Sequence, residues 1–250
     1  MIRGLYTSGT GMISQMKKLD IITNNLTNIN TNGFKEDTLL TRSFQDTLVS
    51  RLNDPSILYS TPEVGPLNKG VRIDQVYTSF EQGTLSETNK PADFAIEGEG
   101  FFVVNTPDGE RLTRDGAFGV DANGRLITSE GYSVMGENGE IFVKNNQFTL
   151  NAEREIISDG EYTDKILVVN ADDEALRKIG DNLYVNQNPQ SQTVNTDSKV
   201  KQGFLEGSNV DLAKSMVNMM EVYRSYESNQ KVAKMIDETL ERAVNDLGKI

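Results

Sequence analysis

Asp93, Glu97 and Glu99 crowd around Phe94 and Ile96, and two carboxylates beside apolar neighbours are the equipment of a hydrolytic general acid and base. Of the 37 Asp and Glu, one lies in residues 1–35 and eight in 203–250, so twenty-eight fall between them and clusters arise by chance. An acidic, solvated surface is therefore the preferred reading. Asp108, Asp121 and Asn123 could offer oxygen ligands to calcium, but the twelve-residue loop spacing is missing. Gly98-Glu99-Gly100 follows an apolar strand without the third glycine and the helix that a dinucleotide loop needs, and reads as a tight bend between strands. Met12, Met16, Met216, Met219 and Met220 are better read as adaptable residues of helix seams than as cofactor ligands. With neither His nor Cys, the chain lacks the usual zinc ligand sets, a thiol nucleophile, a Ser/His pair and any disulfide. The expectation is a protein that is not an enzyme and has no cofactor and no metal site.

The 250 residues leave room for one large domain or two smaller ones, and the net charge of −12 is unevenly spread. Residues 1–35 carry four basic and one acidic residue (+3), and residues 203–250 carry six and eight (−2). The middle carries fifteen and twenty-eight (−13). Such a middle repels nucleic acid and anionic lipid, so neither partner is expected. The longest apolar runs, Phe101 to Val104 and Ile166 to Val169, are far shorter than a membrane span, and no membrane insertion is expected. The N-terminus has no apolar h-region, which is not the pattern of a cleaved secretory signal.

The elements that would position these residues differ by region. Leu212, Met216, Met219, Tyr223 and Tyr226, then Ala233, Ile236, Leu240, Ala243 and Leu247, step by threes and fours and predict some forty residues of helix. Its two seams are offset by a one-residue slip. Ser208-Asn209-Val210-Asp211 reads as its start, with Ser208 as N-cap and Asp211 at N3 of a capping box. Met12, Met16, Leu19, Ile22, Leu26 and Ile29 predict a second amphipathic helix. It should fail near residues 28–33, where Asn24, Asn25, Asn28, Asn30 and Asn32 compete for backbone hydrogen bonds and Gly33 offers a left-handed stop. One narrow apolar stripe at each end of the chain is what two strands of a coiled coil would show. Between them, Asp108-Gly109, Asn123-Gly124, Asn138-Gly139 and Asp159-Gly160 each signal a hairpin turn between short β-rich runs. The predicted class is a discontinuous α+β fold. Residues 1–35 and 205–250 form a helical assembly domain paired like a coiled coil, and 36–80 form an extended connector rich in Pro55, Pro62, Pro66, Gly65 and Gly70. Residues 81–204 form an antiparallel all-β domain. An intramolecular helical hairpin that merely braces the β domain is the alternative to assembly.

Three blocks carry a family resemblance. The first runs from Leu19-Asp20-Ile21-Ile22-Thr23-Asn24-Asn25-Leu26 through Asn28, Asn30 and Asn32 to Gly33-Phe34-Lys35. The second runs from Phe80-Glu81-Gln82-Gly83 through Lys90-Pro91-Ala92-Asp93-Phe94-Ala95-Ile96 and Gly98-Glu99-Gly100-Phe101 to Thr113-Arg114-Asp115-Gly116. The third is Leu205-Glu206-Gly207-Ser208-Asn209-Val210-Asp211, followed by Tyr223-Arg224-Ser225-Tyr226-Glu227-Ser228-Asn229-Gln230-Lys231. In these blocks the chain resembles the bacterial flagellar axial proteins, specifically the rod proteins of the basal body related to the hook protein. Thr7, Thr10 and Thr23 stand where that family often has alanine.

The resemblance implies a structural subunit of the flagellar rod, closer to the distal than to the proximal rod proteins, with terminal helices lining a helical tube and β domains outside. It implies a homo-oligomeric helical array, other rod and hook-end proteins as partners, contact with surrounding ring proteins or peptidoglycan, and export by the flagellar type III apparatus. Assembly would then rest on Met12, Met16, Leu19, Ile22, Leu26, Leu212, Met216, Met219, Tyr223, Tyr226, Ile236 and Leu240. The Asn24–Phe34 turn and Ser208–Asp211 would serve as caps. A β-rich saccharide-binding or hydrolytic module with helical dimerisation arms is the reading from another class.

Overall fold

The computed structural model of the chain describes residues 2–50, 63–143, 148–151, 153–158, 161–188, 190, 192–194 and 198–247. It has the α+β layout expected, a helix near each end and antiparallel β structure between, and it divides into two compact units. One comprises Met1–Leu26, Asp37–Tyr77 and Leu212–Ile250, the other Thr27–Glu36 and Thr78–Asp211. Both are discontinuous in sequence.

In the first unit, α1 spans Ile2–Thr27. The hydroxyls of Thr7, Ser8, Thr10 and Thr23 donate to carbonyls three or four residues back, which satisfies them without breaking the helix. Threonine therefore serves where alanine would, and the helix ends as expected, immediately before Asn28. The second helix, α2, spans Leu212–Leu247, 36 residues and about 54 Å at 1.5 Å per residue. It starts three residues later than the capping-box reading: Ser208 Oγ instead accepts from the nearby Val210 N–H, and Asp211 precedes the first helical residue.

Shelter along α2 follows one uninterrupted heptad: Ser215, Met219, Val222, Tyr226, Asn229, Ala233, Ile236, Leu240 and Ala243. There is no slip; a polar residue, Asn229, carries the repeat across the point where the apolar pattern changes phase. Leu212, Met216 and Tyr223, expected in the seam, lie outward and about half exposed. On α1, a Cβ at Gly4 would stand 2.8 Å from Ile236 Cδ1, and one at Gly11 would stand 3.1 Å from Asn229 Nδ2. The contact advances seven residues on α1 as it retreats seven on α2, so the helices run antiparallel where they touch. Glycine at both positions lets the partner side chain reach the α1 backbone.

The described parts of residues 36–80, 36–50 and 63–80, hold strands. Strands β1 (Asp37–Ser43) and β4 (Val71–Thr78) pair, and β2 (Thr47–Ser50) pairs antiparallel with β3 (Glu63–Leu67). Val71 and Ile73 alternate with Arg72 and Asp74, the period-two signal of a strand. Pro55 and Pro62 lie outside the described residues. The ribbon lies along α1: Tyr6 and Phe44 rings are 6.4 Å apart, and the Asn25 side chain exchanges two hydrogen bonds with the Asp37 backbone, at 2.8 and 3.0 Å.

The second unit is built on Phe101–Thr106, which pairs antiparallel with Gly109–Thr113, Ser133–Gly136 and Val168–Asn170 in one large sheet. Phe102 and Val104 point into one core with Leu126, Ile141 and Ile166; Phe101 and Val103 point into another with Leu112 and Tyr184. Burial on both faces is why this strand reads as a continuous apolar run. The turns at Asp108-Gly109, Asn123-Gly124 and Asn138-Gly139 join antiparallel neighbours as expected. The strands flanking Asp159-Gly160 also pair, while that dipeptide lies outside the described residues. Phe94–Glu97 pairs with Lys199–Gln202 and Leu85–Glu87 with Phe204–Glu206, so the chain's C-terminal strands close the unit.

Candidate functional site

The most concentrated set of buried polar groups lies in the second unit, where the segment following α1 meets the strand preceding α2. Lys35, fully buried, donates from Nζ to Glu206 Oε1 at 2.6 Å and to the Glu81 carbonyl at 2.7 Å. Arg114 donates from Nη1 to Glu206 Oε2 at 3.2 Å and from Nη2 to the Gly98 carbonyl at 2.8 Å. The Gly83 N–H donates to Glu206 Oε1 at 2.9 Å, and the Gly33 N–H to the Glu206 carbonyl at 2.7 Å. One carboxylate thus gathers two cations and a backbone amide in a water-poor interior, where charges are tolerated only when paired and hydrogen-bonded. Burial lowers the Lys35 pKa against the pull of Glu206, and lowers that of Arg114 in the same way. The Arg114 guanidinium also lies 5.3 Å from the centre of the Phe101 ring.

Local sequence explains why these segments can meet. Gly33 adopts φ +65°, and a Cβ there would stand 2.5 Å from the Arg114 and Asp115 backbone, so only glycine fits both the turn and the approach. Phe34 is buried beneath the Lys178 ammonium, 3.7 Å from its ring centre. Asn209 completes the set: its side chain accepts from the Glu36 N–H at 2.7 Å and donates to the carbonyls of Ser79 and Glu81. These bonds tie Asn209 to the β-rich unit, and α2 starts only at Leu212. Among the described residues no group of three or more acidic side chains is arranged to hold a metal ion.

The remaining expected site residues fall into distinct groups. Ile22 and Asn25 are buried, while Met12, Leu19, Leu26 and Asn28 are half-buried, Asn28 accepting from the Thr31 hydroxyl at 3.2 Å. Met16, Asn24 and Asn30 are exposed, Met16 at 53 %, so Met16 is not part of a seam within the chain. Met219, Tyr226, Ile236 and Leu240 lie on the sheltered stripe of α2. Val210 is buried, Ser208 is half-buried and Asp211 is exposed. Sequence reasoning missed Lys35, Arg114 and Glu206 as a unit. The available signal was their position inside the three blocks, Lys35 following Phe34 and Glu206 lying between Leu205 and Gly207.

The segments that leave α1 and lead into α2 are clasped together in the β-rich unit, while the two helices touch in the other. Three family models match the chain: "Flagella basal body rod protein" over residues 5–35, "Flagellar hook protein FlgE/F/G D1 domain" over 95–202, and "Flagellar basal body rod FlgEFG protein C-terminal" over 201–247. The flagellar hook-basal body complex protein FlhO of Bacillus subtilis is 32% identical, covering 100% of both chains. The basal-body rod protein FlgF of Caulobacter vibrioides is 35% identical, again over 100% of both. The basal-body rod protein FlgG of Buchnera aphidicola from Schizaphis graminum is 34% identical over 97% of this chain and 98% of its own. The chain belongs to the flagellar basal-body rod protein family. It is a structural subunit of the rod, located in the flagellum's basal body.

Proposed function

We propose that the chain is a distal-rod-like subunit, not an enzyme, that assembles with copies of itself into a helical tube and transmits torque toward the hook. Its terminal helices pair in the manner of a coiled coil and line the tube. The observation that carries this reading is the division of α2 into two flanks. One heptad stripe is sheltered, while Leu212, Met216, Met220 and Tyr223 on the other flank stay about half exposed. An apolar flank left open on a helix already paired by its other side is suited to a neighbouring copy. Other rod and hook-end proteins are its axial neighbours, ring proteins or peptidoglycan its surroundings, and the flagellar type III apparatus its route of export.

Met216→Asp tests assembly. The purified variant should keep the wild-type helix signal in far-UV circular dichroism, yet be absent from detached basal bodies and leave cells non-motile. Incorporation at wild-type levels would sink the reading. The distal assignment rests on Gly70-Val71, Phe80-Glu81-Gln82-Gly83 and Gly98-Glu99-Gly100-Phe101, which resemble that branch best. The proximal rod protein is the competing assignment. Basal bodies from cells lacking the chain should retain the proximal part of the rod if the distal assignment holds, and should lack a rod beyond this position if the chain is proximal.

A further inference from the structure

The chain has no Cys, His or Trp, so the methionine thioether is the side chain most open to a two-electron oxidant. Seven of the eight methionines lie in residues 1–16 and 216–235, at the helical ends, and Met135 alone lies in the β-rich middle. Their exposure differs. Met16, Met216, Met220 and Met235 are 53, 49, 54 and 57 % exposed, whereas Met12, Met135 and Met219 are partly sheltered, Met135 against the core that holds Phe101 and Tyr184. Met216 and Met220 form a pair four residues apart on one helix face, on the α2 flank that also exposes Leu212 and Tyr223.

A thioether suits an apolar contact because it is soft and adaptable. Its sulfoxide carries a strong acceptor oxygen, which is unfavourable to bury unless a donor meets it. Hydrogen peroxide supplies that oxygen. The sulfur lone pair attacks one peroxide oxygen, the O–O bond breaks and an S–O bond forms. The departing hydroxide takes the proton left on the transferred oxygen and leaves as water, so sulfur loses the two electrons that the peroxide gains. We propose that Met216 and Met220 are a peroxide-sensitive modification site whose sulfoxides keep a free subunit from joining the assembly. The oxidation itself stands on exposure and chemistry. Its consequence rests on the reading of this flank as the contact with a neighbouring copy, which also covers the pair in subunits already assembled.

The test has two arms. In the first, the isolated full-length chain is treated with hydrogen peroxide, quenched with catalase and mapped by peptide mass spectrometry for the gain of one oxygen. Met216 and Met220 should oxidise about tenfold faster than Met135, and about tenfold faster than the same residues in detached basal bodies. Rates no greater than at Met135 overturn the site, and equal rates in the free chain and in basal bodies overturn the protection. In the second arm, Met216→Gln with Met220→Gln imitates the polarity of two sulfoxides, while Met216→Leu with Met220→Leu removes the sulfur and keeps the flank apolar. At an unchanged far-UV helix signal, the Gln pair should be depleted about tenfold from detached basal bodies and the Leu pair present at the wild-type level. A Gln pair that incorporates as well as the Leu pair overturns the proposal, as does equal loss of both, which would mean that the flank reads shape and not polarity. If Met216→Asp is excluded while the Gln pair incorporates, the flank is a contact and only the oxidation proposal fails. If Met216→Asp incorporates too, the self-assembly reading of the flank fails with it.

Discussion

Lys35 and Glu206 are 171 positions apart in sequence, and their side chains meet at 2.6 Å with both fully buried. The pair closes the path by which the chain leaves α1 and returns to α2. It also explains why the β-rich unit includes residues 27–36 and 204–211. An isolated fragment of residues 36–203 would lack both Lys35 and Glu206.

Removing one member of such a pair strands the others. Lys35→Met leaves Arg114 to balance Glu206, whereas Glu206→Gln leaves two cations facing each other. Both should destabilise the chain by about 3–5 kcal/mol, with Glu206→Gln the worse. Urea denaturation followed by near-UV dichroism measures this. Losses under about 1 kcal/mol would show that the pair contributes little.

Two glycines should respond oppositely to alanine. Gly33→Ala forces a Cβ into the Arg114 backbone at positive φ and should cost more than about 1 kcal/mol. Gly9, inside α1, has nothing within 4 Å of its would-be Cβ, so Gly9→Ala should raise helix stability by up to about 1 kcal/mol. Thermal melts of the two variants check the contrast.

Asp115 gives the β-rich unit a pH dependence. Burial, with Glu130 and Asp93 adding negative charge, raises its pKa from 3.8 to about 6, despite a hydrogen bond from the Ala117 N–H. The folded state therefore holds this proton more tightly than the unfolded chain does. The associated stability is fully present below pH 3.8 and is lost as pH rises through about 6. Asp115→Asn mimics the protonated form, so it should be more stable than wild type near pH 7.5, by at most about 3 kcal/mol. The advantage should vanish near pH 4. An advantage that does not change with pH would contradict the assignment.

The fold class was legible because its periodicities are strong. Asx-Gly turns marked the hairpins, and three-four spacing marked both helices. The heptad of α2 was misread because two apolar patterns coexist on that helix, and hydropathy favours Tyr223 over Asn229 where the geometry shelters Asn229. The strands within residues 37–50 and 63–78 were hidden by Pro66 and Gly70, although Val71 to Tyr77 carried a strand signal. The buried ion cluster was not legible: Lys35, Arg114 and Glu206 are ordinary surface types, and only the tertiary fold brings them within reach of one another.

The heptad also separates two kinds of defect. Ile236→Asp places a charge on the sheltered stripe opposite Gly4 and should lower helix content in the isolated chain. Met216→Asp, on the outer flank, should not. Equal loss of helix signal in the two variants would mean that α2 has no preferred face.

The antiparallel pairing of the terminal helices is the claim on which the assembly account depends, and the chain's lack of cysteine allows a direct test. A Cβ at Gly11 would stand 3.4 Å from Asn229 Cγ, which puts the two Cβ atoms near disulfide range. Gly11→Cys combined with Asn229→Cys, oxidised in detached basal bodies and run without reductant, should yield a single intramolecularly bonded, faster-migrating monomer, with neither single variant cross-linking. Free thiols in the double variant, or bonds only between copies, would contradict the pairing.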